Sequence, residues 1–184
     1  MALKIQNKKN QTPCFIAKTK VLTMDGYKNI ADIKVGEFVL THKNRFQKVL
    51  ATNGHWAYLY ELKIGGFPSV FVSPNHLFLI KEKRDSEPIW KPLCKISQTD
   101  CFLMHSFNAM STKHNQKSSF LNQYKNWLYT LKQNNSHYQN DEYICFHFDY
   151  IRPAYEENLV YNILVEEDSS YIAENMIVLD NILK

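Results

Sequence analysis

The chain holds no apolar run approaching the ~18 residues that a membrane-spanning helix requires. Glycine and proline are scarce, 5 and 6 among 184 residues, which excludes collagen-like and low-complexity classes. The opening stretch MALKIQNKKNQTP lacks the apolar core of roughly 7 to 15 residues that a secretory signal needs, so a soluble, cytoplasmic setting is expected. No block of five or more like charges occurs, and 22 basic against 18 acidic residues leave a net charge of only +4. A solvated mixed surface follows from that balance, and it argues against nucleic-acid binding. The four cysteines, Cys14, Cys94, Cys101 and Cys145, show no CxxC or CxxH spacing, which argues against a zinc site. In a cytoplasmic chain Cys94, Cys101 and Cys145 are then expected as buried thiols, not disulfide partners. Neither a metal nor any other cofactor is expected.

What is present is apolar material in short pieces. A chain of this length can bury roughly 70% of its unfolded surface, enough for one well-packed domain. From Cys14 to about Met104 it reads as short strands, AKTKVLT, GEFVLT, FQKVLAT, YLYELKI, SVFVS, HLFLIKE and DCFLM, separated by Gly, Pro, Asn and Asp. Asp25-Gly26 between apolar runs predicts a hairpin, with a second turn around Gly36. The run from Ile33 to Leu40 is echoed by the run from Ile96 to Leu103, each an apolar residue, a turn, an acid and a strand. Between 106 and 141 the texture becomes polar. There Phe120, Leu121, Tyr124, Trp127, Leu128 and Leu131 fall at helical spacing, which predicts one amphipathic helix in an insertion. Strand character returns in EYICFHFDYI, ENLVYNILVEE and SYIAENMIVLD. The fold class expected is all-β, with the domain over 14–181, a flank over 1–13 that ends in Thr12-Pro13, and a short flank over 182–184.

Cys14, Thr19, Val21, Thr23, Asp25 and Gly26 together resemble the first conserved block of inteins and the wider Hint family, a leading Cys followed by Thr-x-Val-x-Thr and an acid-Gly turn. Three further segments carry the same resemblance. Ser73-Pro74-Asn75-His76 stands where the family has Thr-x-x-His, the run from Val160 to Glu166 is similar to its VYNLxVE block, and the run from Ser170 to Asn175 with a later Asn181 is similar to its terminal Tyr-Ile-Ala-x-Asn segment. The likeness covers about residues 14–104 and 143–181. It implies a pseudo-symmetric β horseshoe with both chain ends at one centre, a monomer whose partners are its own flanking host segments.

The chemistry implied begins with attack of the Cys14 thiol on the Pro13 carbonyl, converting the Pro13–Cys14 peptide bond into a thioester. His76 takes the role of proton donor to the departing nitrogen. Ser73 is a candidate oxyanion donor, Asn75 a further polar contact, and Asn162 belongs to the block near the C-terminal site. The six other histidines, His42, His55, His105, His114, His137 and His147, have no such context and are expected as surface or core residues. At the far end the chain departs from the pattern. If Asn181 is the terminal residue, Asp180 replaces the usual preceding His and Ile182 offers no acceptor nucleophile; in the other register Leu179 replaces the His and Asp180 the Asn. The reading is a single-turnover, self-processing domain that forms a thioester, with asparagine or aspartate cyclisation and full splicing disfavoured. A degenerate Hint fold with a structural or interaction role is the alternative.

Overall fold

The computed structural model describes residues 12–83, 86–105, 138–139 and 143–180. The helix expected over 120–131, most of the 106–141 insertion, the greater part of the N-terminal flank, Asn181 and Ile182 lie outside these. Within them the fold is all-β as expected, with fourteen strands and two single-turn 3-10 segments.

The Asp25-Gly26 signal produces its hairpin. β2 (Lys20–Thr23) pairs antiparallel with β3 (Gly26–Asn29), and Gly26 takes φ 107°, a conformation a side chain would resist. The echo is structural. After β3 comes a 3-10 turn, Ile30–Asp32, then β4 (Phe38–Leu40). After β7 (Leu77–Lys81) and β8 (Ile89–Pro92) comes a second 3-10 turn, Leu93–Lys95, then β9 (Cys101–His105). The backbone bonds that seat the two turns match in pattern. Ile30 and Ala31 donate to the carbonyls of Thr19 and Ala17, while Leu93 and Cys94 donate to those of His76 and Pro74. His76 is thus the counterpart, in the second half, of Thr19 in the first.

Two of the predicted breaks are absent. FQKVLAT and YLYELKI fuse into one 18-residue strand, β5 (Phe46–Lys63), running straight through Asn53-Gly54. Gly54 is opposite Tyr161, and a Cβ there would meet that ring at 3.4 Å and the Val160 carbonyl oxygen at 3.5 Å, so this glycine permits a close approach instead of ending a strand. Its partner β12 (Tyr150–Val165) is 16 residues long and absorbs Pro153 at a bulge. β1 (Phe15–Ile16) lies between β12 and β6 (Val70–Val72).

SYIAENMIVLD, where strand character was expected, folds as a hairpin. β13 (Ser170–Ala173) and β14 (Met176–Leu179) are joined at Glu174 and Asn175, both with positive φ, the twist that suits a two-residue hairpin loop. This hairpin is inserted between the two halves, β14 on β7 and β9, β13 on β2. β10 (Tyr138–Gln139) and β11 (Tyr143–Phe146) extend the β9 edge. The main core collects Phe15, Phe78, Phe102 and Tyr171 from both halves and both chain ends.

The cysteine expectation is corrected at all three positions. Cys101 and Cys145 form a disulfide, with Cα atoms 5.6 Å apart. Cys145 faces Leu103 across the β9–β11 ladder, so it lies diagonal to Cys101 on the same sheet face, within bridging reach. Cys94 is a free thiol and exposed, not buried.

Candidate functional site

Cys14 immediately precedes β1, and Phe15 is paired on both sides, with Tyr161 of β12 and Val72 of β6. That double pairing places Cys14 beside the residue that follows β6. Ser73 grips it from both directions: the Cys14 N–H donates to Ser73 Oγ at 3.0 Å, and the Ser73 N–H donates to the Cys14 carbonyl at 2.9 Å. Both residues are fully buried. Ser73 therefore faces the nitrogen that would leave in an acyl shift. The oxyanion role expected for it is not the contact its hydroxyl makes here. Ser73→Ala should strand a buried N–H and lower stability by about 1–3 kcal/mol, read as a shifted midpoint in urea unfolding.

The His76 N–H donates to the Ser73 carbonyl at 3.2 Å, closing a turn from which the chain enters β7. Asn75 sits in this turn and not on a strand. The His76 ring is fully buried, 4.3 Å from the Phe15 ring centre, 5.7 Å from that of Phe78 and 6.4 Å from that of Tyr171. Neither ring nitrogen has a hydrogen-bond partner within the described residues. Burial pulls the imidazole down to about 3 and pushes the Cys14 thiol up to about 12, the Ser73 hydroxyl opposing the latter shift. At neutral pH both groups rest uncharged.

The C-terminal end reaches the same region through Tyr171. Its O–H donates to Asn162 Oδ1 at 3.1 Å, and its ionisation is pushed well above the usual range by burial first and then by the nearby Asp180. It stays a neutral donor. Asn162 Oδ1 also accepts from the Ile163 N–H at 2.8 Å, while its Nδ2 donates to the Asp180 carbonyl oxygen at 2.8 Å. Asp180 is buried, takes the Val165 N–H on Oδ2 at 2.7 Å and donates its own N–H to the Ser169 carbonyl at 2.8 Å.

Ahead of this hairpin a charged clamp ties the turn to the loop after β4. The Asp168 carboxylate accepts from Thr41 Oγ1 at 2.7 Å and from Arg45 at 2.8 and 2.6 Å, with Lys43 Nζ at 3.0 Å. The Arg45 hydrogen bonds, foremost, hold its ionisation below the usual carboxylate range. Next to it, His42 Nδ1 lies 2.6 Å from Ser170 Oγ, and the His42 ring meets Trp90 edge-on.

The structure therefore brings together Cys14, Ser73 and His76, and joins Asn162 to Asp180 with Tyr171 between the two groups. Among the remaining histidines, His105 is buried, His147 is exposed with Nδ1 3.2 Å from the Asp100 carbonyl, and His114 and His137 lie outside the described residues. Sequence reasoning assigned no role to Phe15, the His76 ring's nearest aromatic neighbour, or to the Asp168 clamp. Strand alternation through Ser170-Tyr171-Ile172 was the signal that would have turned Tyr171 inward. The described residues contain no cluster of ligating side chains that could hold a metal ion. No described helix is long and apolar enough to cross a membrane.

No family model matches the sequence. One relative, the uncharacterized protein MJ0043 of Methanocaldococcus jannaschii, is 38% identical over 76 residues, 39% of this chain and 10% of the relative. The match thus spans about a tenth of that protein's length. Solved structures are similar over nearly the whole chain. A DnaB intein from Synechocystis superposes with a TM-score of 0.63 at 13% identity, covering 92% of this chain and 99% of that one. The gp41-1 intein gives 0.57 at 15% identity, covering 92% and 99%. A bacterial intein-like domain from Clostridium thermocellum gives 0.60 at 19% identity, covering 91% and 98%. At these identities the likeness establishes the fold, that of inteins.

Proposed function

We propose that this domain rearranges its own backbone at the Pro13–Cys14 bond, in the manner of the self-processing domains whose fold it has. The observation that carries the reading is convergence: Cys14 held at both backbone polar groups by Ser73, and the Asp180 carbonyl held by Asn162, with the buried Tyr171 bonded to Asn162 and its ring centre 6.4 Å from those of Phe15 and His76. The Cys14 sulfur attacks the Pro13 carbonyl carbon, the C–N bond breaks, and the segment ending in Pro13 is transferred to sulfur. His76, neutral at rest, takes the thiol proton as charge develops and returns it to the departing Cys14 nitrogen. Ser73 Oγ, 3.0 Å from that nitrogen, accepts its N–H and holds it in place during the attack. The substrates are the chain's own flanking segments, and one domain turns over once.

Incubation of the purified chain with a small thiol should release residues 1–13 as a thioester, seen as a loss of intact mass. Cys14→Ala should abolish that loss. The Pro13 ring, buried beside the attacked carbonyl, makes the step slow, so the time course extends over hours to days.

A second reading, an inert domain of the same fold with a structural or interaction role, is favoured by one observation. With the Cys14 thiol pushed up to about 12, the thiolate fraction at pH 7 is on the order of one in 10⁵. An intact mass unchanged over days, in a chain whose β-sheet circular dichroism shows it folded, selects this reading.

A further inference from the structure

β5 and β12 run past the strands that flank them, and for part of their length they stand as a two-stranded ribbon. β4 pairs with β5 only near its start and β6 only at Tyr60, Glu61 and Leu62, so over 50–59 one edge of β5 has no described strand beside it. That stretch, LATNGHWAYL, contains no proline and no Lys, Arg, Asp or Glu, the residues with which natural sheets close an edge to further pairing. Its outward face is aromatic. Trp56 lies opposite Leu159 and Tyr58 opposite Glu157, so these four side chains share one side of the ribbon. Trp56 is 67% exposed, Tyr58 54%, and Tyr155 in the adjoining bulge 88%.

The charge here is negative in a chain of net charge +4. Glu156 and Glu157 are both exposed and enter none of the ion pairs among the described residues. The other end of the same ribbon shows what such a set accommodates. There Arg152 lies opposite Glu61, its guanidinium 4.6 Å from the Tyr150 ring centre and 2.7 Å from the Glu61 carboxylate. The ring offers the cation its π face and the carboxylate offers the countercharge. Tyr58 and Glu157 repeat the ring and the carboxylate directly across the ladder, with Trp56 two residues along. Among the described residues no cation stands over either ring.

We infer that this end of the ribbon docks an extended, lysine- or arginine-bearing segment of a separate polypeptide. Its cations take, over Trp56 and Tyr58 and beside Glu157, the place that Arg152 takes over Tyr150 beside Glu61, and its backbone adds to the open edge of β5. A strand added there alternates its side chains, so every second residue comes to the aromatic side. A nucleic acid or an anionic membrane would meet two carboxylates where it needs cations. Ala57, between the two aromatics, points to the opposite side, where it packs in one cluster with Cys14. The docking face is thus separate from the Cys14 side, and the inference does not depend on the self-processing reading.

The test titrates fluorescein-labelled acetyl-(Lys-Val)4-amide with the full chain and follows fluorescence anisotropy, beside the (Glu-Val)4 peptide and a fully N-methylated (Lys-Val)4 peptide. Saturable binding of the unmethylated lysine peptide alone is expected, weakening as salt is raised. Trp56→Ser should weaken it about tenfold through loss of the ring face. Glu156→Gln combined with Glu157→Gln should weaken it about fivefold and make the salt dependence shallower. All three positions are exposed, and circular dichroism checks each fold. No binding by the native chain, equal binding of the glutamate or N-methylated peptide, or unchanged affinity in either folded variant overturns the inference. So does a dimer of the chain, seen by sedimentation, that Trp56→Ser dissociates, because a second copy would then hold the edge.

Discussion

Replacing His76 by alanine should slow the thiol-driven release of residues 1–13 by about 10²–10⁴-fold, the range over which a positioned proton carrier contributes. The size follows from isolation. The ring is enclosed by Phe15, Phe78 and Tyr171 and neither nitrogen is engaged, so within the described residues nothing else replaces it as a carrier beside the Cys14–Ser73 pair. The same burial has a thermodynamic signature. The imidazole titrates near 6.5 when unfolded and near 3 when folded. Between those values the unfolded chain binds more protons, and stability rises with pH. The contribution is complete above about pH 6.5 and is lost as pH falls toward 3. His76→Phe should therefore flatten the decline in the urea midpoint between pH 6.5 and 4 while abolishing the rate. A His76→Ala chain that releases residues 1–13 at the native rate would remove this histidine from the mechanism.

The second large effect lies in the clamp. Asp168→Ala leaves Thr41 and Arg45 without their carboxylate and should cost about 2–3 kcal/mol. The cost falls at or below the ~3 kcal/mol lower limit for a broken buried pair because Arg45 and Lys43 are themselves 46% and 56% exposed and regain water. For a chain of this length that is a fall in Tm of about 5–10 °C. The pH dependence runs in the same sense as that of His76 but lower. Arg45 holds the Asp168 carboxyl below its unfolded value near 4, so its contribution is present above pH ~4 and disappears as pH falls through the folded value. Asp168 immediately precedes the hairpin that carries Tyr171 and leads to Asp180. Thermal melts with and without the substitution check this fall.

Strand periodicity and turn chemistry made most of the fold legible. Asp25-Gly26 located its hairpin, and the echo between Ile33–Leu40 and Ile96–Leu103 marked a real duplication, down to the two 3-10 turns and the bonds that seat them. Gly54 misled because local composition cannot report that a ring from a strand more than a hundred residues later covers that backbone. Glu174 and Asn175 hid a turn because glutamate seldom adopts positive φ, and only the pairing of β13 with β14 compels it. At the candidate site, Cys14, Ser73 and His76 could be named from their resemblance to the intein blocks. That Ser73 faces the leaving nitrogen could not, since it depends on β1 being paired on both sides. The Cys101–Cys145 bond is likewise a matter of register, legible only once β9 and β11 are neighbours.

The insertion of β13–β14 between the two halves also sets a clock on biosynthesis. Phe15 waits for Tyr161, and Val21 for Ala173, so the first strands of the domain cannot be completed until the chain has been translated through Ala173. Pairings so distant in sequence form late and slowly. In a longer polypeptide emerging from a ribosome, the first half of the domain would be present as a thiol and a histidine without Tyr171 against the ring and without Asn162. Chemistry that severs the main chain would be withheld, by topology alone, until the domain has been read through to its end.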